Sequence, residues 1–169
     1  MLLVRIARGI ALLTTGLLAG AFSYGAVNVA PTFRAVPLDV RLTFHIALMK
    51  MNAVVMQAGM ALALISAIAL IVVVRAAVPR LLAAGASALL LATFLVTRFG
   101  NVPINRQMRE WVADAPPADY ADILQVWDTF HIIRTATAIA AFLLIIAIAD
   151  RARTLAADAR DQAVPAAVR

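Results

Sequence analysis

His45 and His131 are the only imidazoles in a chain of 169 residues that has no cysteine. Each lies near the start of a long apolar run and has polar company at helical spacing. Trp127, His131 and Arg134 fall on one stripe at i, i+4 and i+7, and His45, Met49, Asn52 and Met56 repeat that spacing. Three chemistries suit such residues. A histidine can act as general base near neutral pH. Arg134, with Asn101 and Asn105 from "RFGNVPIN", can donate to a phenolate, enolate or carbonyl oxygen, the work of an oxyanion site. Two imidazoles facing across a helix bundle can also hold haem or a metal, with Asp39 or Asp128 as candidate further ligands. Met49 and Met56 beside His45 would suit a soft copper ion, although methionine more commonly fills space. No phosphate loop, nucleophile triad or HExxH-type motif is present, which argues against ATP-driven transport and hydrolysis by familiar routes.

The elements that must position these residues are membrane spans. The chain is 64% apolar and 14% charged, against roughly half and a quarter in a soluble domain. Its apolar residues come in blocks, four of them long enough to cross ~30 Å of hydrocarbon at ~1.5 Å per residue. The blocks run over about 4–29, ending at Pro31, then 43–74, 79–99 and 123–149. "RAAVPR" joins the second to the third so tightly that they must be antiparallel neighbours. The expected fold is all-α: an integral membrane four-helix bundle, up-down-up-down, as one domain over 1–150. A charged tail over 151–169 extends the last helix and then frays. The first block begins with Arg5 and Arg8 like a signal peptide, but its apolar run outlasts the ~7–15 residues of a signal h-region, so it reads as a retained span.

The net charge of +6 is mostly arginine at block edges rather than on one polar face, a topology signal and no footprint for nucleic acid. Arg5, Arg8, Arg75, Arg80, Arg151, Arg153, Arg160 and Arg169 gather at one end; Arg34, Arg41, Arg106 and Arg109 mark the other. That bias places both termini in the cytoplasm, in an inner or plasma membrane. The absence of cysteine excludes a disulfide framework and thiol catalysis.

Nearly all unusual polar residues then gather at the outer end. The first span brings Tyr24 and Asn28, continuing a line from Gly16 and Gly20. The second brings His45, Lys50 and Asn52, the third Arg98, Asn101 and Asn105, and the fourth Trp127, Asp128, His131 and Arg134. "LALISAIALIVVV" and "AIAAFLLIIAIA" at the inner end are almost wholly apolar. Pro103 disfavours helix at Val102, so "GNVPIN" is expected to unwind and line a cavity. Lys50 and Arg98 can snorkel. Arg134 is expected to face inward and pair with Asp128 or a carbonyl of "NVPIN". The same polar groups also serve as interhelical glue, and Trp111 and Trp127 suit an aromatic belt. "EWVADAPPADYAD" reads as a solvated cap turned by its double proline.

Asn101, Val102, Pro103 and Asn105, followed by Trp127, Arg134 and Thr135, resemble the anthrone-oxygenase-like family of small four-span membrane proteins, over roughly Gly9 to Ala149. The resemblance implies oxygenation of anthrones to anthraquinones with no bound flavin or haem. In that pattern Asn is expected at His131, His at Ile132 and Trp at Phe130, so the departures fall within the expected site. The combined expectation is a membrane oxidoreductase that takes a hydrophobic phenolic or quinone-like ligand from the bilayer. His131 or His45 serves as base, and Arg134, Asn101 and Asn105 hold the oxygen. Trp127, Tyr24, Asn28, Asn52 and Arg98 line the pocket. Two alternatives stand beside it: a redox protein with haem or copper on His45 and His131, and a non-catalytic carrier or assembly partner. Homo-oligomerisation stays open.

Overall fold

The computed structural model describes residues 2–163, with only the helix backbone over 155–163. The fraying expected at 164–169 lies outside the described residues. Four rods account for most of the chain: α1 (Leu2–Ala35), α2 (Leu38–Val73), α3 (Ala77–Glu110) and α4 (Tyr120–Ala163). No strand forms among the described residues. All four rods are apolar and long enough to cross a membrane, and a helix is the element that satisfies its own backbone polar groups in lipid. Each rod packs on its neighbours in chain order and α4 closes against α1, while the diagonal pairs barely touch. The result is the up-down-up-down bundle that the sequence predicts.

Alanine sets the spacing of the rods. Ala11, Ala63, Ala67, Ala83, Ala86, Ala138 and Ala141 are buried along the seams, where small side chains let backbones approach. Leu18, Leu70, Leu90 and Ile145 fill the space between them. Two hydroxyl pairs tie neighbours in this apolar half: Thr14 with Ser66 at 2.9 Å, and Thr93 with Thr137 at 2.8 Å.

The rods are longer than a bilayer requires. Thirty-four residues reach about 50 Å at ~1.5 Å per residue, against ~30 Å of hydrocarbon. The surplus lies at the end remote from the chain termini, where Asp39, Arg106, Gln107, Arg109, Glu110, Asp122 and Gln125 are exposed. That cap has its own small core of Ala30, Leu42, Ile104, Met108, Leu124 and Trp127, separate from the membrane core. Between the two cores lies a layer of buried polar side chains.

Two expectations fail here, for one reason. α1 does not stop at Pro31 and "GNVPIN" does not unwind. Instead each helix widens by one turn of π-helix, Gly25–Val29 in α1 and Thr97–Asn101 in α3, and then continues. The wide turns are closed by Ala30 N–H donating to the Gly25 carbonyl and Val102 N–H donating to the Thr97 carbonyl. A proline ring clashes with the carbonyl four residues back. For Pro31 and Pro103 those carbonyls belong to Val27 and Phe99, each at the middle of its π turn. Widening the turn relieves the clash without breaking the rod.

Candidate functional site

The polar layer is built on a column of stacked rings. Phe33 of α1 stacks on His45 of α2, with centroids 4.6 Å apart and planes 10° apart. His45 meets the Trp127 indole edge-on at 4.5 Å, and Trp127 in turn stacks on His131 at 5.2 Å. Arg134 closes the column, its guanidinium 4.7 Å from the Phe22 ring centroid and 5.9 Å from that of Trp127. His45, Asn101, Trp127, His131 and Arg134 are all buried.

Local geometry explains how each side chain is held. Gly25 sits in the π turn of α1 where a Cβ would lie 2.9 Å from His131 Nε2, so only glycine lets the imidazole press against that backbone. Gly100, in the other π turn, lies as close to Phe130; a Cβ there would approach the ring to 2.5 Å. Trp127 Nε1–H donates to Asn105 Oδ1 at 2.8 Å, and Asn101 Nδ2 donates to the Trp127 carbonyl at 3.0 Å. The two asparagines therefore turn to Trp127 and fix it, rather than converging on Arg134.

Arg134 is the residue that departs furthest from expectation. It does not pair with Asp128 or with a carbonyl of "NVPIN". Its Nε and Nη2 donate to His131 Nδ1 at 3.0 and 2.8 Å, and among the described residues no carboxylate lies within 4.0 Å of it. The spacing explains this. Positions 128 and 134 are six apart, about 120° around a helix, whereas 131 and 134 are adjacent at i, i+3. Asp128 instead faces α1 and α2, with Oδ2 3.2 Å from Arg34 Nη1 and Oδ1 3.8 Å from Arg41 Nη2. A guanidinium offers only N–H groups. His131 Nδ1 must then be the acceptor, and the ring proton resides on Nε2.

Several buried atoms have no hydrogen-bond partner among the described residues: both nitrogens of His45, His131 Nε2, Asn101 Oδ1, Asp128 Oδ1, and Nε and Nη2 of Arg41. Buried polar groups ordinarily find a partner, so this layer offers donors and acceptors to water or to a ligand.

Other expected residues are not brought in. Tyr24, Asn28 and Arg98 are exposed, and Arg98 lies over Phe99 at 5.8 Å. Asn52 is on the same face as His45 but nearly two turns deeper, half-buried and outside the ring column. The two imidazoles both lie against Trp127, with ring centroids 4.5 and 5.2 Å from that of the indole. Met49 packs against the cap core and Met56 against the membrane core. Among the described residues no three His, Asp or Glu side chains cluster as metal ligands.

The structure adds residues that the sequence reading passed over. A cavity of about 580 Å³ opens between α1, α2 and the start of α4, walled by Phe33, Arg34, Arg41, Tyr120, Leu124 and Asp128. Phe33 separates it from His45. Arg41 precedes His45 by four positions and so extends its stripe, a signal legible in the sequence. Phe22 and Phe33 carry no such signal.

Comparison with known proteins gives one match. A family described as anthrone oxygenase matches residues 41–144, a span holding every member of the polar layer except those of α1. No curated protein and no solved structure matches the chain significantly.

Proposed function

The chain belongs to the anthrone oxygenase family, a membership that suggests oxygenase-like activity in an integral membrane protein, and we propose that it oxygenates a hydrophobic phenolic or quinone-like molecule drawn from the bilayer. The observation that carries this reading is Arg134, a buried guanidinium whose hydrogen bonds go to an imidazole and to no carboxylate. A buried cation left uncompensated by the protein favours a ligand that is, or becomes, an anion.

The roles follow from the hydrogen bonds. With its proton on Nε2, His131 is a donor, so the base of this reading is His45, whose two nitrogens are free. His45 removes a proton from the activated ring carbon of the substrate. Arg134, held in place by His131 Nδ1, stabilises the resulting enolate oxygen. The carbanion passes an electron to dioxygen, the radicals combine to a peroxide anion, and His45 returns its proton to give the hydroperoxide. Loss of water gives the ketone, so one CH2 and one dioxygen become one C=O and one water. Asn101 and Asn105 are positioning residues that hold Trp127. Substrate reaches His45 from the cavity when the Phe33 ring turns aside. Arginine placement supports termini in the cytoplasm and the polar layer near the opposite surface.

The test uses detergent-purified protein with anthrone as probe. Dioxygen uptake and anthraquinone formation in equal amounts, in a sample without a Soret band or stoichiometric metal, is the expected result. Turnover that disappears with a chelator, or that tracks a haem spectrum, would replace this mechanism with a cofactor-based one.

A further inference from the structure

The cavity beside Phe33 has a chemistry of its own. Two arginines and one aspartate wall it, leaving an excess positive charge. Arg41 is the informative member. It is 7% exposed, its Nε and Nη2 have no hydrogen-bond partner, and the nearest carboxylate oxygen is 3.8 Å away, beyond hydrogen-bond distance. Desolvating a guanidinium while leaving its donors unpaired costs several kcal/mol. Asp128 is already engaged by Arg34 at 3.2 Å, and its Oδ1, the oxygen towards Arg41, is unpartnered. One carboxylate thus serves two guanidiniums and leaves one positive charge uncompensated on the cavity wall.

We infer that this cavity is an anchoring subsite for an acidic oxygen group, a carboxylate or phosphate, carried on an amphiphile. The anion pairs with the exposed guanidinium of Arg34 and lies in the field of Arg41 on the cavity wall, and Asp128 competes with it. Phe33 and Leu124 supply apolar wall for the rest of the ligand. The shared chemistry admits two sources, an acidic substituent on the substrate or a lipid headgroup. The subsite is separate from Arg134, and it is tested by binding alone, so it stands or falls independently of the oxygenation reading.

The experiment measures quenching of the two tryptophans by anthraquinone carboxylate and by its neutral carboxamide, in phosphate-free maltoside detergent. The wild type is expected to bind the acid at least ~10-fold more tightly than the amide, the worth of one or two charge-assisted hydrogen bonds. Arg41→Gln should bring that ratio towards unity without weakening the amide. Asp128→Asn should raise it, because the competing carboxylate is gone. Arg34→Gln, at an exposed position that tolerates change, should lower it and serves if Arg41→Gln does not fold. Adding dihexanoyl phosphatidate distinguishes the sources. Displacement of the acid in wild type but not in Arg41→Gln assigns the subsite to a lipid phosphate, and no displacement assigns it to the substrate. Equal affinity for acid and amide in the wild type overturns the proposal, as does a preference that survives Arg41→Gln.

Discussion

Replacing Arg134 with leucine separates a chemical role from a structural one, because the two make opposite forecasts. Arg134 contributes two hydrogen bonds to His131 and lies over two aromatic faces. Charge-assisted bonds are worth about 1.5–3 kcal/mol, and cation–π contacts about 0.5–2 kcal/mol each. Against this stands a desolvation penalty of several kcal/mol for a buried ion. These terms nearly cancel, and what remains is the buried His131 Nδ1, left without a donor. Stability is therefore expected to fall by about 1–3 kcal/mol, a melting shift of about 5 °C for a chain of this size. Catalysis should fall far more, since loss of one oxyanion donor costs about 10²–10³ in kcat. The assay is dioxygen uptake with anthrone, run beside thermal unfolding of the same preparation. Full turnover in Arg134→Leu would refute the donor role. A melting loss well beyond ~10 °C with activity falling in proportion would show that the residue is only packing glue.

Three further substitutions probe the layer around it. Gly25→Ala places a Cβ 2.9 Å from His131 Nε2; the imidazole must shift, and kcat is expected to drop at least ~10-fold with little change in melting. Gly100→Ala brings a Cβ to 2.5 Å from the Phe130 ring, so the half-buried ring or the helix must shift, and a loss of about 1–3 kcal/mol is expected in thermal unfolding. Trp127→Phe removes the N–H that donates to Asn105 Oδ1 at 2.8 Å and should cost about 1–3 kcal/mol through the unsatisfied amide; unchanged stability would mean that Asn105 does not hold the ring.

The bundle was legible because lipid makes composition speak directly. Apolar blocks, short connections and arginine at block edges specify four alternating rods, and the structure has them. The ring column was legible in part, since Trp127, His131 and Arg134 recur at spacings that stay on one stripe. The misses trace to helical phase. The line from Gly16 through Gly20 and Tyr24 to Asn28 advances by four residues, and each such step drifts about 40°. By Gly20 it has left the interior. Arg98 was projected through an α phase that the π turn of α3 does not keep. Asn52 had the right phase and the wrong depth. The choice of partner by Asp128 depended on α1 and α2 meeting above it, which no periodicity within α4 reveals.

A π turn is one residue inserted into an α-helix whose flanks stay in place. Losing a single codon within Gly25–Val29 or Thr97–Asn101, with the proline that follows exchanged for another residue, would thus leave Phe22 and Phe33, or Thr93 and Met108, on their present faces. The same loss one turn away would swing everything beyond it by about 100°. Length changes among descendants of this sequence are therefore confined to two short windows on the rods, and both open directly beside the rings.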